Sequence, residues 1–331
     1  MIYILKNTLL LLVTAVIIIG SAVYSSEEAR KGNYDDIYIE KPITIPGLAN
    51  QSMRLDGINT DYKDGKLIKL YMEGTLAYVI KPTGKIDPQR HWVCIIPPGM
   101  ALSAAVSGKS EKQGEQLTQP TASVPCPYQY YVDGLLAQGF HVVGIEVGIS
   151  CGSPAGVEIY NQFYKVLIEE FHLNPKGRFI GQSNGGLIAY AWAFRNPEKV
   201  DRIFGIFPSL DLRSWPRIEN IGLYIPEGLS FNLSTEEIRT RLKEFNPIDN
   251  LEPLAKHHVK IFHVHGDRDT LVPIGPYTIE AKKRYDALGG QFEYKVINGG
   301  GHEGTPQFYA CEEGLDFLFS ISPNDSSISV R

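Results

Sequence analysis

The stretch GRFIGQSNGGLIAYAWAF, residues 177–194, carries an apolar run of strand character straight into a helical pattern, with Ser183 flanked by Gly181 and Gly185. Its G-x-S-x-G core is the pattern of a nucleophile elbow, in which a serine is held at the tip of a sharp strand-to-helix turn. A glycine-rich turn that happens to contain a serine reads the same way. In a chain with 32 glycines among 331 residues the pattern decides little alone. The flanking sequence has to show whether the turn sits in the right kind of sheet and whether partners for the serine follow.

Outward from the elbow the chain alternates. HWVCIIPPG (91–99) is a short apolar strand, YQYYVDGLLAQG (128–139) is helical in spacing, and FHVVGIEVG (140–148) is again a strand. AGVEIYNQFYKVLIEEFHL (155–173) has apolar residues every three or four positions and predicts a long amphipathic helix. After the elbow come the strand DRIFGIFPS (201–209), the strand VKIFHVHGD (259–267), a helix around YTIEAKKRYDALG (277–289), the strand QFEYKVING (291–299) and a last helix from about Thr305 to Ser320. Strands that are apolar throughout and alternate with helices predict an α/β fold, a mostly parallel, doubly wound sheet of about eight strands covered on both faces. KLIKLYMEGTLAYVIKP (66–82) adds one or two antiparallel strands at the front. Between Leu210 and His257 the rhythm breaks into helix-start signals without a buried-strand run, which predicts an inserted cap. The expected α/β domain runs over residues 63–322, after an irregular lead-in (27–62) and before a flexible tail (323–331).

Composition bounds the function. Hydrophobic residues make up 43% and charged residues 21% of the chain, the balance of a globular protein. The net charge is −5 with no Lys/Arg-rich block, which argues against a nucleic-acid or anionic-lipid surface. Residues 1–26 hold one lysine, Lys6, then an apolar run from Leu9 to Val23 and small residues after it. That segment reads as an export signal or, if uncleaved, a membrane anchor, placing the mature protein in the periplasm or outside the cell. Cys94 falls in a buried-strand run, Cys126 and Cys151 are a possible pair, and Cys311 has no evident partner; no C-x-x-C motif suggests zinc or redox chemistry.

In an open parallel sheet functional groups gather at the carboxyl ends of the strands. HVHGDRDTLVP (263–273) places Asp267 and Asp269 just after one strand, and NGGGHEG (298–304) places His302 after the next. The order Ser, Asp, His is that of α/β hydrolases. Asp267 is an alternative acid in the same loop, as is Asp211 after the preceding strand. His263 and His265 alternate on one strand face and raise the question of a metal, but a third ligand is missing. His257 and His258 read as surface residues. Ser150, Cys151 and Ser153 lie at another strand end, and Ser150 is a candidate substrate contact beside Trp215 of the cap. Trp215, Tyr224 and Phe231 read either as substrate contacts or as the cap's own small core, and Glu303 either biases His302 or faces solvent.

With these residues on the page, the chain from about Leu67 to Ser320 resembles the α/β-hydrolase superfamily, on the side of the prolyl oligopeptidase-like and acyl-esterase-like serine hydrolases. The family's acid loop often reads H-G-x-x-D-x-x-V-P, matched by His265, Gly266, Asp269, Val272 and Pro273, and GGGHE resembles its histidine loop. The resemblance implies Ser183 as nucleophile, His302 as base and Asp269 as the acid that orients it. It implies backbone N–H donors to the oxyanion from Asn184 and from the loop after HWVCII. There Pro97 and Pro98 have no N–H, so Met100 or Gly99 is left, in place of the more usual His-Gly. Neither a cofactor nor a metal is implied. The expected activity is cleavage of carboxylic esters through an acyl-enzyme, on small molecules or on carbohydrate or other polymers. A serine peptidase is the rival enzyme reading, and a non-catalytic binding protein on the same fold is the rival from another class.

Overall fold

The structure is a computed structural model that describes residues 43–44, 52–53, 60–62, 64–72, 75–98, 127–225, 229–302 and 305–320. Its strands are β1 (Ile43–Thr44), β2 (Ser52–Met53), β3 (Thr60–Tyr62), β4 (Gly65–Met72), β5 (Thr75–Pro82), β6 (Trp92–Ile96), β7 (His141–Ile145), β8 (Gly177–Gln182), β9 (Val200–Ile206), β10 (Lys260–Gly266) and β11 (Phe292–Ile297). The helices are α1 (Gln129–Ala137), α2 (Pro154–Glu169), α3 (Asn184–Ala193), α4 (Ile221–Tyr224), α5 (Thr235–Thr240), α6 (Glu252–Lys256), α7 (Glu280–Ala287), α8 (Pro306–Tyr309) and α9 (Glu312–Phe319).

Nine strands form one open sheet in the order β11-β10-β9-β8-β6-β7-β5-β4-β3. From β7 to β11 every pairing is parallel; β5, β4 and β3 continue the sheet antiparallel. The ninth strand is β3, inside the stretch expected to be irregular. Strands of two or three residues, such as β1, β2 and β3, are too short to leave a periodic signal.

Side-chain alternation explains why the central parallel strands are largely apolar. In β6, Trp92, Cys94 and Ile96 join one core while Val93 and Ile95 join the other. The first core takes its helical share from α2, α3 and α7, through Phe163, Trp192 and Tyr285. The second is closed by α1 and α9, through Tyr131, Leu135, Leu315 and Leu318. A strand buried on both faces has no place for polar residues unless they are paired. Several buried polar side chains on these strands are paired: Arg178 and Arg202 both reach the Asp201 carboxylate, at 2.8 and 2.9 Å, and Gln182, His263 and His265 bond to other side chains.

Between β9 and β10 lie α4, α5 and α6 with several 3-10 turns and, among the described residues, no strand. This insert has its own core of Leu212, Ile218, Ile221, Ile225, Phe231, Ile238 and Phe245, closed from below by Cys151 and by Leu187 of α3. The expected last helix is two. Tyr131 Oη donates to Phe308 O (2.6 Å) and accepts from Cys311 N (3.1 Å), taking for α1 the bonds that would have carried α8 into α9.

Candidate active site

β8 ends at Gln182, and Ser183 turns the chain into α3 with φ 50° and ψ −119°. A residue other than glycine at positive φ costs about 1–3 kcal/mol unless its surroundings hold it there. Here they do: Ser183 N donates to Ile206 O (3.1 Å), and Ser183 O accepts from Gly186 N and Ser209 N (both 2.9 Å). Gly185 has no room for a side chain, since a Cβ would lie 1.9 Å from the carbonyl oxygen of Ile96. At Gly181 the closest approach would be 3.1 Å, so this glycine is favoured by a tight fit rather than required. The elbow is thus pressed onto the end of β6.

The carboxyl ends of β10 and β11 supply the partners. Their loops pack backbone against backbone, with Arg268 N donating to Gly300 O (2.9 Å). A Cβ on Gly266 would sit 2.1 Å from that same oxygen, which accounts for the glycine after His265. Asp267 Oδ1 accepts from Gly299 N (2.7 Å), so this acid ties the two loops together. Asp269 faces the other way. Its Oδ1 accepts from Leu271 N (3.0 Å) and Val272 N (2.8 Å), and its Oδ2 lies 2.7 Å from His302 Nδ1. His302 Nε2 is 2.8 Å from Ser183 Oγ.

The protonation pattern follows from these partners. Burial alone would raise the Asp269 carboxyl, but the nearby His265 N–H at 3.6 Å and hydrogen bonds from His302 and the Val272 N–H outweigh it and hold the group well below the usual carboxylate range. An ionised carboxylate only accepts, so His302 carries its proton on Nδ1 and turns the Nε2 lone pair toward the Ser183 hydroxyl. The Asp269 side chain has no exposed surface, whereas His302 keeps 18% of its own. Phe207 packs against the imidazole at 4.7 Å between ring centres and is itself braced edge-on by Phe308.

Asn184 is the first residue of α3, where a backbone N–H has no acceptor within the helix. Its side-chain amide is buried with neither end paired. Met100, Gly99, Cys126 and Glu303 lie outside the described residues, as does the 1–26 segment. No helix among the described residues is long and apolar enough to cross a membrane.

The remaining candidates fall into structural positions. Ser153 caps α2, accepting from Gly156 N (3.1 Å) and donating to Leu229 O of the insert (2.6 Å), while Ser150 is buried beneath it with its hydroxyl unpaired. Cys151 is a buried free thiol, and so are Cys94 and Cys311. Trp215 precedes a cis proline and packs at 5.7 Å from Tyr224, half-buried between the sheet core and the insert core. Phe231 is inside the insert core against Phe245. Asp211 binds Arg213 and the Asn246 amide. His257 and His258 are exposed. All four ring nitrogens of His263 and His265 have partners that are not metal ligands, namely Tyr190 Oη, Thr278 Oγ1 (twice) and Val272 O. Phe207 and Thr278 were invisible to motif reading, because neither belongs to a pattern and each meets its histidine only through the fold.

No protein-family model and no curated protein matches the sequence. Solved structures do match. A truncated carbohydrate esterase from gut microbiota superimposes at TM-score 0.50 with 18% identity, covering 73% of this chain and 89% of that one. A puromycin hydrolase does so at 0.54 with 15% identity, over 80% of this chain and 41% of the other. Porphyromonas gingivalis dipeptidyl peptidase 4 follows at 0.53 with 14% identity, over 78% and 36%. The chain therefore spans under half of the latter two proteins. Sheet order, elbow and neighbours together define the α/β-hydrolase fold.

Proposed function

We propose that this protein is a serine hydrolase that cleaves carboxylic esters through an acyl-enzyme. The observation that carries the reading is the unbroken line from Ser183 Oγ to His302 (2.8 Å) to Asp269 (2.7 Å), with the serine on a positive-φ elbow. Ser183 Oγ attacks the acyl carbon while its proton passes to His302 Nε2. The carbonyl π pair moves onto oxygen, where the Asn184 N–H at the start of α3 stabilises it. Collapse breaks the bond to the alcohol oxygen, which leaves with the proton from His302, and Asp269 balances the imidazolium in between. Water then repeats the sequence on the acyl-enzyme and releases the acid.

An ester rather than an amide is favoured by the carbohydrate esterase, a neighbour matched along 89% of its own length. Polymer-linked or carbohydrate acyl groups are the substrate class that this likeness suggests, and export through the 1–26 segment accords with a polymer substrate outside the cell. The peptidase reading draws on the puromycin hydrolase and the dipeptidyl peptidase.

Fluorophosphonate labelling with mass mapping tests the mechanism. The label is expected on Ser183 and is expected to vanish in His302→Ala. Turnover that survives Ser183→Ala rejects the reading, and a folded protein that takes no label points to a binding protein. Parallel panels of acyl esters and aminoacyl amides then separate esterase from peptidase.

A further inference from the structure

Behind the acid loop two hydroxyls and two imidazoles stand in one buried line. Tyr190 Oη of α3 is 2.8 Å from His263 Nε2, and His263 Nδ1 is 2.9 Å from Thr278 Oγ1. Thr278 Oγ1 is in turn 2.8 Å from His265 Nδ1. His265 Nε2 ends the line, 2.7 Å from Val272 O and 3.6 Å from Asp269 Oδ2. Both histidines belong to β10, and Thr278 is brought to them by a π-helical turn, Gly275–Ile279, ahead of α7. None of the four side chains is more than 1% exposed.

The proton positions in this line are determined from one end. A carbonyl oxygen only accepts, so His265 Nε2 carries a proton. In a neutral ring Nδ1 is then an acceptor, and Thr278 must donate to it. A hydroxyl has a single proton, so Thr278 accepts from His263 Nδ1–H. His263 Nε2 is left as an acceptor, which the Tyr190 O–H satisfies. Every donor meets one acceptor, and all bonds point from α3 toward the acid loop. The reverse direction would require a doubly protonated His265. Burial pushes His263 well below its ordinary value and keeps that ring neutral.

We propose that His265, Thr278, His263 and Tyr190 are positioning residues for Asp269. The chain holds the His265 proton on Nε2, where it grips the Val272 carbonyl. The N–H of the same Val272 binds Asp269 Oδ1, so the loop stays wound around the carboxylate and Oδ2 is presented to His302. The inference rests on the catalytic reading above, and none of the four residues is assigned contact with substrate. The other titratable groups around the line are Asp269 and His302 from the two loops, Tyr277 from the π turn and Tyr285 of α7 beside Tyr190.

The test is steady-state kinetics on an ester that the wild type turns over, with a pH profile and a melting curve for each variant. His265→Met and Thr278→Val are expected to lower kcat about tenfold at nearly constant KM, the scale set by one buried hydrogen-bonding group losing its partner. His265→Gln retains an N–H donor but cannot ionise, and Thr278→Ser retains the hydroxyl. Both are expected within about threefold of wild type, by the same measure, with the acid limb of the His265→Gln profile unmoved. A Thr278→Val enzyme of full activity overturns the proposal, as does an acid limb displaced in His265→Gln, which would mean a charged His265. Equal losses in conservative and disruptive variants that track melting temperature also overturn it. Tyr190→Phe, which removes only an oxygen, replaces Thr278→Val if that variant does not fold, and full activity there is likewise fatal. Ser183→Ala run alongside separates the two ideas: turnover in that variant sinks the catalytic reading, whereas an inactive Ser183→Ala beside a fully active Thr278→Val sinks only the positioning role.

Discussion

Replacing Asp269 by asparagine exchanges one heavy atom, an oxygen for a nitrogen, and should abolish the proposed activity. Oδ1 accepts from Leu271 N and Val272 N, so the asparagine carbonyl oxygen must occupy that position; flipped, its NH2 group would face two N–H donors. The amide nitrogen is therefore forced to the Oδ2 position, 2.7 Å from His302 Nδ1. Two donors cannot share that contact, so His302 gives up its Nδ1 proton and carries one on Nε2. Nε2 then donates toward Ser183 Oγ and can no longer take its proton. The imidazolium formed during attack also loses its counter-charge, worth about 4 kcal/mol at an effective dielectric near 20. Tautomer and charge together predict a fall in kcat of about 10⁴, roughly 5 kcal/mol in barrier. Single-turnover acylation with a p-nitrophenyl ester measures it, and a melting curve should show the fold retained. A loss under tenfold, beside an inactive Ser183→Ala, would refute the tautomer argument.

Three further predictions concern the scaffold. Gly185→Ala drives a methyl into the Ile96 carbonyl and should cost at least about 2 kcal/mol in urea unfolding along with most activity, while Gly181→Ala is markedly milder. His141 is buried on β7, and burial, with Lys81 and Arg90 nearby, pushes it down to about 4. The unfolded chain therefore binds a proton between pH 6.5 and 4 that the folded chain refuses, so this group's contribution is complete above pH 6.5 and is lost as pH falls through that window. The difference should reach up to about 3 kcal/mol, and His141→Gln should flatten the stability curve there. Asp201→Asn removes the carboxylate shared by Arg178 and Arg202 and should cost about 3–5 kcal/mol, with kcat unchanged wherever the variant remains folded, because this pair lies at the opposite end of the strands from Ser183.

The legible part of this protein is what short-range chemistry writes into consecutive residues. A strand covered on both faces must be apolar at most positions, so β6 to β10 stand out as largely apolar runs between helices of period 3.6. A serine between glycines at the end of such a run, with an acid and a histidine at the next strand ends, is legible because parallel strands deliver their loops to one edge. The choice between Asp267 and Asp269 was open to motif resemblance but not to spacing. It is the fold that turns one carboxylate toward Gly299 N and the other toward His302. Tyr131 interrupts the last helix from 177 and 180 positions away, Phe207 reaches His302 across two loops, and Thr278 joins two histidines from another element. Periodicity and capping record the preferences of neighbours in the chain. Which side chain intercepts a distant hydrogen bond depends on how whole elements pack, and that is decided only once the sheet has brought them together.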